Sequence, residues 1–280
     1  MRAENDTAGR EPLDAAGLRR AVLRPAGLWR EIEVVPSTGS TNADLLARAL
    51  AGEPEGVVLA AEEQTAGRGR MGRTWTSPPY AALTFSLLLN PAVPPARRGW
   101  LPLLAGVAVA AAVTEATGVQ ARLKWPNDVL AGTVLAGEAK LAGILAEAAG
   151  DAVVVGIGLN VSTEPAELPG PGPGALPATS LRAAGATALN REELLLAILS
   201  WFERWYQAWR QAGGDPDHSG LREEYVSKSA TIGRPVRAEL PGGQALSGPV
   251  AGVDSDGRLL VRVSSGSEVA VSAGDVVHLR

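Results

Sequence analysis

Cysteine is absent from this 280-residue chain, which excludes a disulfide framework, a thiolate nucleophile and any cysteine-bound metal, and suits a reducing cytoplasm. Histidine occurs only twice, and no histidine or carboxylate cluster has the spacing of a protein-held metal site. Basic and acidic residues number 26 and 30, so no global positive field is available to hold nucleic acid. Lysine is scarce as well: Lys124, Lys140 and Lys228 are the whole set, and arginine supplies the remaining basic residues. Long hydrophobic runs are missing too. The most apolar stretch, WLPLLAGVAVAAAVTEATG from Trp100, is broken by Pro102 and reaches Glu115 before the roughly 20 residues a membrane span needs, so a buried helix is expected. The polar opening MRAENDTAGREPLDAAG lacks the apolar core of a signal peptide.

What is present is a hydrophobic fraction of 46%, enough for one large domain and one small one. Residues 1–28 read as a flexible or loosely docked arm. From residue 29 to residue 228, WREIEVV, GVVLAAEEQ and AALTFSLLL have the β-branched, apolar texture of strands, while STNADLLARALA starts a helix on hydroxyl and amide caps. Four further strand-like runs follow the apolar helix: ARLKW, DVLAG, KLAGILAEA and DAVVVGIGLNVS. This predicts an α/β class domain with a mixed sheet and flanking helices. The proline- and glycine-rich segment 163–178 reads as a surface connector without a functional role. Trp201, Trp205 and Trp209 recur at four-residue spacing on a helix, a stripe that suits core packing better than a stacking platform. Residues 229–280 alternate short β-type segments with turn residues, as expected for a five-stranded barrel.

Three constellations could carry chemistry. STGSTNADL gathers Ser37, Thr38, Ser40, Thr41 and Asn42 at a helix start, where they serve either as a cap or as a polar ligand contact. QTAGRGRMGRTW, residues 64–75, combines Arg68, Arg70 and Arg73 with Gly67, Gly69 and Gly72. Forked guanidinium groups on a glycine-rich loop fit an anion, and the apolar strands on either side favour an active-site loop over an RNA-binding tail. In KWPNDVL and KLAGIL, Pro126 fixes an extended bend that presents Asn127 and Asp128, and Lys140 lies among apolar neighbours, where its ammonium needs an anion, whether a structural carboxylate or a ligand. The glycines of GIGLN, residues 156–160, allow a ligand to lie against bare backbone, but the third glycine of a dinucleotide fingerprint is missing.

In that order, STN, QTAGRGRMGRTW, KWPND, KLAGIL and GIGLN resemble the biotin protein ligases from about residue 36 to residue 161. The resemblance implies a catalytic domain like that of class II synthetases, shared with lipoate ligases, and an SH3-like carboxy-terminal barrel. It implies that biotin and ATP form biotinyl-5′-adenylate with loss of pyrophosphate. The biotinyl group then passes to a lysine of the biotin carboxyl carrier domain of acetyl-CoA carboxylase or a related enzyme. On this resemblance Ser40, Thr41, Asn42, Gln64, Arg68, Gly69, Arg70, Lys140, Gly143, Gly156 and Gly158 would contact biotin. Arg70, Arg73, Trp75, Lys124, Asn127 and Asn160 would hold the nucleotide, and Lys140, Arg70, Lys124 and Asp128 would assist the chemistry. Mg²⁺ would arrive on ATP. A lipoate or octanoate ligase or transferase of the same fold is the alternative. Some relatives carry an amino-terminal winged helix that binds DNA; the residues before the first motif are too few for one, so a cytoplasmic ligase without operator binding is expected, as monomer or homodimer.

Overall fold

The computed structural model describes residues 10–133, 137–170, 176–240, 244–272 and 274–279. A seven-stranded sheet forms the larger unit from β1 (Glu31–Val35), β2 (Val57–Ala61), β3 (Ala82–Leu89), β4 (Ala121–Lys124), β5 (Asp128–Thr133), β6 (Gly137–Ala149) and β7 (Ala152–Asn160). Their spatial order is β1-β2-β3-β7-β6-β5-β4. Only β1 and β2 run parallel; every other neighbouring pair is antiparallel, which is the mixed sheet expected from the sequence.

The two faces of this sheet do different work. On one face lie α3 (Leu101–Thr117) and α4 (Arg191–Gln211), against Leu83, Phe85 and Leu87 of β3 and their neighbours. The segment Pro95–Thr117 has the length and hydropathy of a membrane span, but its apolar side chains are buried in this core, as the interrupted run predicted. Pro102 sits in the first turn of α3, where no backbone donor is missed, and Gly118 ends the helix in the left-handed conformation. Phe202, Tyr206 and Trp209 of α4 are fully buried, and Trp201 and Trp205 pack at the edge of the same cluster. The tryptophan stripe is therefore core.

On the other face lies α2 (Thr41–Leu50), whose Leu45 packs on Val57, Leu59, Leu88 and Val154. Alternation along β3 puts Thr84 and Ser86 on this side, and register carries them across the sheet: Ser86 pairs with Gly156 and Gly156 with Leu145, while Thr84 pairs with Gly158, Gly158 with Gly143 and Gly143 with Asp128. These rows of small and polar residues leave a depression beside α2.

The amino-terminal segment, expected as a flexible or loosely docked arm, is docked from residue 10 onward. Residues 1–9 lie outside the described residues, but α1 (Ala15–Val22), capped by Asp14, buries Leu18 and Val22 against the domain core, together with Leu13 and Leu28. Leu13 N–H donates to the buried Glu62 carboxylate at 2.6 Å, and Arg10 pairs with Glu167 at 2.6 Å. Four apolar anchors and these polar ties hold the segment in place.

The smaller unit is a five-stranded antiparallel sheet in the order β11-β10-β9-β8-β12, made of β8 (Pro235–Glu239), β9 (Ala245–Val253), β10 (Leu259–Arg262), β11 (Glu268–Val271) and β12 (Asp275–His278). The helix α5 (Leu221–Lys228) leads into it. Its inward residues Val236, Val250, Leu259 and Val276 join the same continuous hydrophobic cluster as the large domain. Trp125 ties the junction by donating from its backbone N–H to Thr231 Oγ1 and from its indole to Gly257 O at 3.0 Å.

Candidate active site

Ser40, Thr41, Asn42, Gln64, Arg68, Gly69, Arg70, Arg73, Trp75, Lys124, Asn127, Asp128, Lys140, Gly143, Gly156 and Gly158 line one cavity of about 410 Å³ over the α2 face of the sheet. Asn160 does not line it. Its side chain is buried and donates to Thr179 O at 2.9 Å, so in place of the nucleotide contact expected from the sequence it holds the backbone after the proline-rich segment.

At one end of the cavity a hydrogen-bonded floor is built from the helix start. Ser40 caps α2, and Thr41 offers its N–H and hydroxyl to Gln64 Oε1 at 2.9 and 3.1 Å. Ser86 donates to Asn42 Oδ1 at 2.6 Å, while the Asn42 amide group donates to Leu145 O and Glu147 Oε2 at 3.2 and 2.8 Å. Both ends of that amide are thus specified, and it lies over Gly156, where any Cβ would overlap Asn42. The indole of Trp75 lies in the same way on Gly158, where any Cβ would overlap the ring. The glycines of GIGLN do permit close approach, and in this structure protein side chains make it.

Lys140 reaches this end through a β-bulge. The β5–β6 register shifts between Val129 and Leu130, so Leu130 pairs with Lys140. Leu130 lies two residues from Asp128 and on its face, and the shift turns Lys140 to the cavity side while Leu141 remains in the core. Lys140 Nζ then meets Asp128 at 2.7 Å. Its backbone is fixed from the other side: Lys140 N–H donates to Pro177 O and Thr179 N–H donates to Lys140 O, each at 2.8 Å. The end of the proline- and glycine-rich connector therefore forms a single β-bridge at Ala178 with Lys140, and Leu176 lines the cavity, which corrects the expectation of a segment with no part in the site. Residues 171–175 of that connector lie outside the described residues.

The other end is cationic and closed by a hairpin. Gly69 N–H donates to Arg73 O and Trp75 N–H to Gly67 O, folding residues 67–75 around a turn at Arg70–Gly72 with Met71 at φ 54°. Arg70 donates to Asn127 Oδ1 at 3.2 Å and to Gly274 O at 3.4 Å, and Arg73 is paired with Asp275. Burial holds the Arg70 guanidinium below its ordinary pKa, opposed by Asp275 and Asp128. Burial likewise lowers Lys124, with Asp128 opposing and Lys140 adding to the shift. Five cationic side chains face three carboxylates in the lining, an excess of positive charge that an anion would neutralise.

Glu239, Asp275, Val276 and Val277 come from the small carboxy-terminal sheet, and sequence reading assigned them no role. No local motif marks them. Ser86 and Glu147, which hold Asn42, were also missed, yet a signal existed: a hydroxyl inside an apolar strand, and a carboxylate in phase with Gly143 and Leu145.

Among the described residues no group of three histidine, aspartate or glutamate side chains could hold a metal. The three cavity carboxylates are each within ion-pair distance of a cation, Asp128 of Lys140, Asp275 of Arg73 and Glu239 of Arg237, so the donor set does not fit a protein-held cation.

Residues 32–163 match the biotin/lipoate A/B protein ligase family, and residues 231–279 match the biotin protein ligase carboxy-terminal domain. The chain is 45% identical to the biotin–[acetyl-CoA-carboxylase] ligase of Mycobacterium tuberculosis, over 97% of each chain. It is 35% identical to the bifunctional ligase/repressor of Bacillus subtilis, over 92% of this chain and 75% of that one. The biotin protein ligase of Aquifex aeolicus in complex with biotin and ATP superposes with a TM-score of 0.73 at 28% identity, covering 90% of this chain and all of the other. With its two domains matched in order and a near-full-length relative at 45% identity, the chain belongs to the biotin protein ligases.

Proposed function

We propose that this protein activates biotin with ATP and passes the biotinyl group to one lysine of the biotin carboxyl carrier domain of acetyl-CoA carboxylase or a close relative of it. The observation that carries this reading is the division of one cavity into a neutral, glycine-floored end and a cationic end, with Lys140 between them. A carboxylate of biotin beside Lys140 would face the α-phosphate of ATP lying toward Lys124, Arg70 and Arg73. Attack of a carboxylate oxygen on that phosphorus joins two anions, and the lysines and arginines offset their repulsion as charge builds on the phosphoryl oxygens. The new O–P bond forms biotinyl-5′-adenylate as the bond to pyrophosphate breaks. In the second step a neutral lysine amine attacks the acyl carbon, AMP leaves with the bonding pair, and the amine loses a proton to give the amide.

Asn42, Thr41 and Gln64 supply the polar groups for the ureido ring in this reading, while Gly143, Gly156 and Gly158 set the depth of the slot. The lid hairpin shields the adenylate from water. Mg²⁺ would enter with the triphosphate, since the described residues offer it no ligand cluster. The cysteine-free composition fits work in the cytoplasm.

The test is mass spectrometry of an acceptor domain incubated with the protein and Mg-ATP. Biotin should add one biotinyl mass and release one pyrophosphate per turnover, and lipoate should add none. A lipoyl adduct with no biotinyl adduct would overturn the proposal.

A further inference from the structure

A second cavity, of about 910 Å³, borders the same lid, sharing with the first its residues Arg68, Gly69, Arg70, Arg73 and Thr74 as well as Pro126, Asn127, Ile144 and Leu145. Glu147 lines only this second cavity, yet its Oε2 atom accepts from Asn42 Nδ2 at 2.8 Å and stands 3.5 Å from Arg68 Nη2. One carboxylate oxygen therefore touches both the floor of the slot and the lid above it. From there the chain of contacts continues through Asn42 to Ser86, Thr41 and Gln64. The Asn42 amide over Gly156 is also held by Leu145 O and Ser86, and Glu147 is its one charged hydrogen-bond partner among the described residues.

We infer that Glu147 is a positioning residue that ties the lid to the slot floor, so that the seating of Asn42 and the inward position of Arg68 are set together. A neutral acceptor could orient Asn42, but a carboxylate holds the guanidinium about twice as strongly through a charge-assisted contact. Arg68 is exposed, so an unsupported pair there would be weak, but the hydrogen bond from the part-buried Asn42 fixes the carboxylate beforehand. Biotin that engages Asn42 would then find the lid arginine already drawn in. Loss of the tie would raise the KM for biotin and free the lid, with little change in the KM for ATP.

This coupling to biotin rests on the ligase reading, but lid anchoring does not, and the experiment separates them. Glu147→Gln keeps an acceptor for Asn42 and removes the charge. Limited trypsin cleavage at Arg70 in the ligand-free protein should be about fivefold faster than in the parent, and KM for biotin should rise about tenfold while KM for ATP stays within about twofold. In Arg68→Ala the cleavage at Arg70 should also quicken, and the double variant should be no worse than either single one. Unchanged cleavage in Glu147→Gln with an unchanged Tm, or additive effects in the double variant, would overturn the tie. If Glu147→Gln lowers Tm, Arg68→Ala decides instead, because it alters an exposed loop residue: parental cleavage there overturns the anchoring. Faster cleavage with an unchanged biotin KM would overturn the coupling to the slot, and parent protein that releases no pyrophosphate would sink the ligase reading while the cleavage comparison still stands.

Discussion

The two ends of the cavity are held by different kinds of interaction. At the slot end, strand register, a β-bulge and a short chain of hydrogen bonds place Asn42, Gly156, Gly158 and Lys140, all within the seven-stranded sheet and the start of α2. At the cationic end, a half-buried and an exposed arginine of a hairpin meet groups from the small sheet some 200 residues away: Arg70 with Gly274, and Arg73 with Asp275. Hydrogen bonds buried among packed strands are not exchanged for water without cost, whereas an ion pair with one exposed partner, such as Arg73 with Asp275, is more readily screened and replaced. The comparison teaches that one end is preformed and the other is held by partners that a phosphate could displace.

The strongest test of the preformed end is Gly158→Val. The added methyls meet the Trp75 ring, and kcat/KM for biotin should fall about a hundredfold or more with ATP binding retained, as read by isothermal titration. A milder loss would mean that the slot adapts, and the contrast between the ends would weaken. Next in size, Lys140→Ala removes the cation at the meeting point of the two ends and leaves Asp128 without its partner. The dissociation constant for biotin should rise by about one to two orders of magnitude, and an unchanged value would remove Lys140 from the binding role.

Asp275→Asn addresses the exchangeable end. Ligand-free lid cleavage should rise about threefold and become less sensitive to salt, while the KM for biotin moves by less than about twofold. The smallest effect concerns the junction beneath Lys124. His278, 3.1 Å from Thr231 Oγ1, is held neutral by burial and next by Lys124, its pKa lowered from 6.5 to about 4. Because the folded value lies below the unfolded one, the unfolded chain binds the extra proton first. The contribution is complete above pH 6.5 and is lost as pH falls toward 4. The Tm should drop by a few degrees more in the parent than in His278→Asn between pH 7 and pH 4.5, followed by calorimetry.

Much of the slot end could be read from the sequence because its residues lie in contiguous motifs: a cap before α2, glycines inside a strand, a lysine between apolar neighbours. The strand texture of the small sheet was equally legible, since each of its five segments alternates between turn residues. What stayed hidden depends on tertiary register. Asp275 is one acidic residue at the start of a strand, and only the docking of the two sheets brings it to Arg73. Asn160 sits at the end of the GIGLN motif, yet the chain that follows turns back and takes its amide for Thr179. The sequence of α1 is short and rich in alanine and arginine, and its fixed place comes from Leu13, Leu18 and Val22 meeting a surface built by residues far along the chain.

The pairing of Arg73 with Asp275 also bears on how the enzyme is made. The sheet, the α2 end of the cavity and the hairpin are all encoded before β12, but the wall formed by Asp275, Val276 and Val277 is absent until β12 has been made. The cavity therefore becomes complete only when the end of the chain has met residues near its start, and a nascent chain without β12 lacks both that wall and the partner of Arg73.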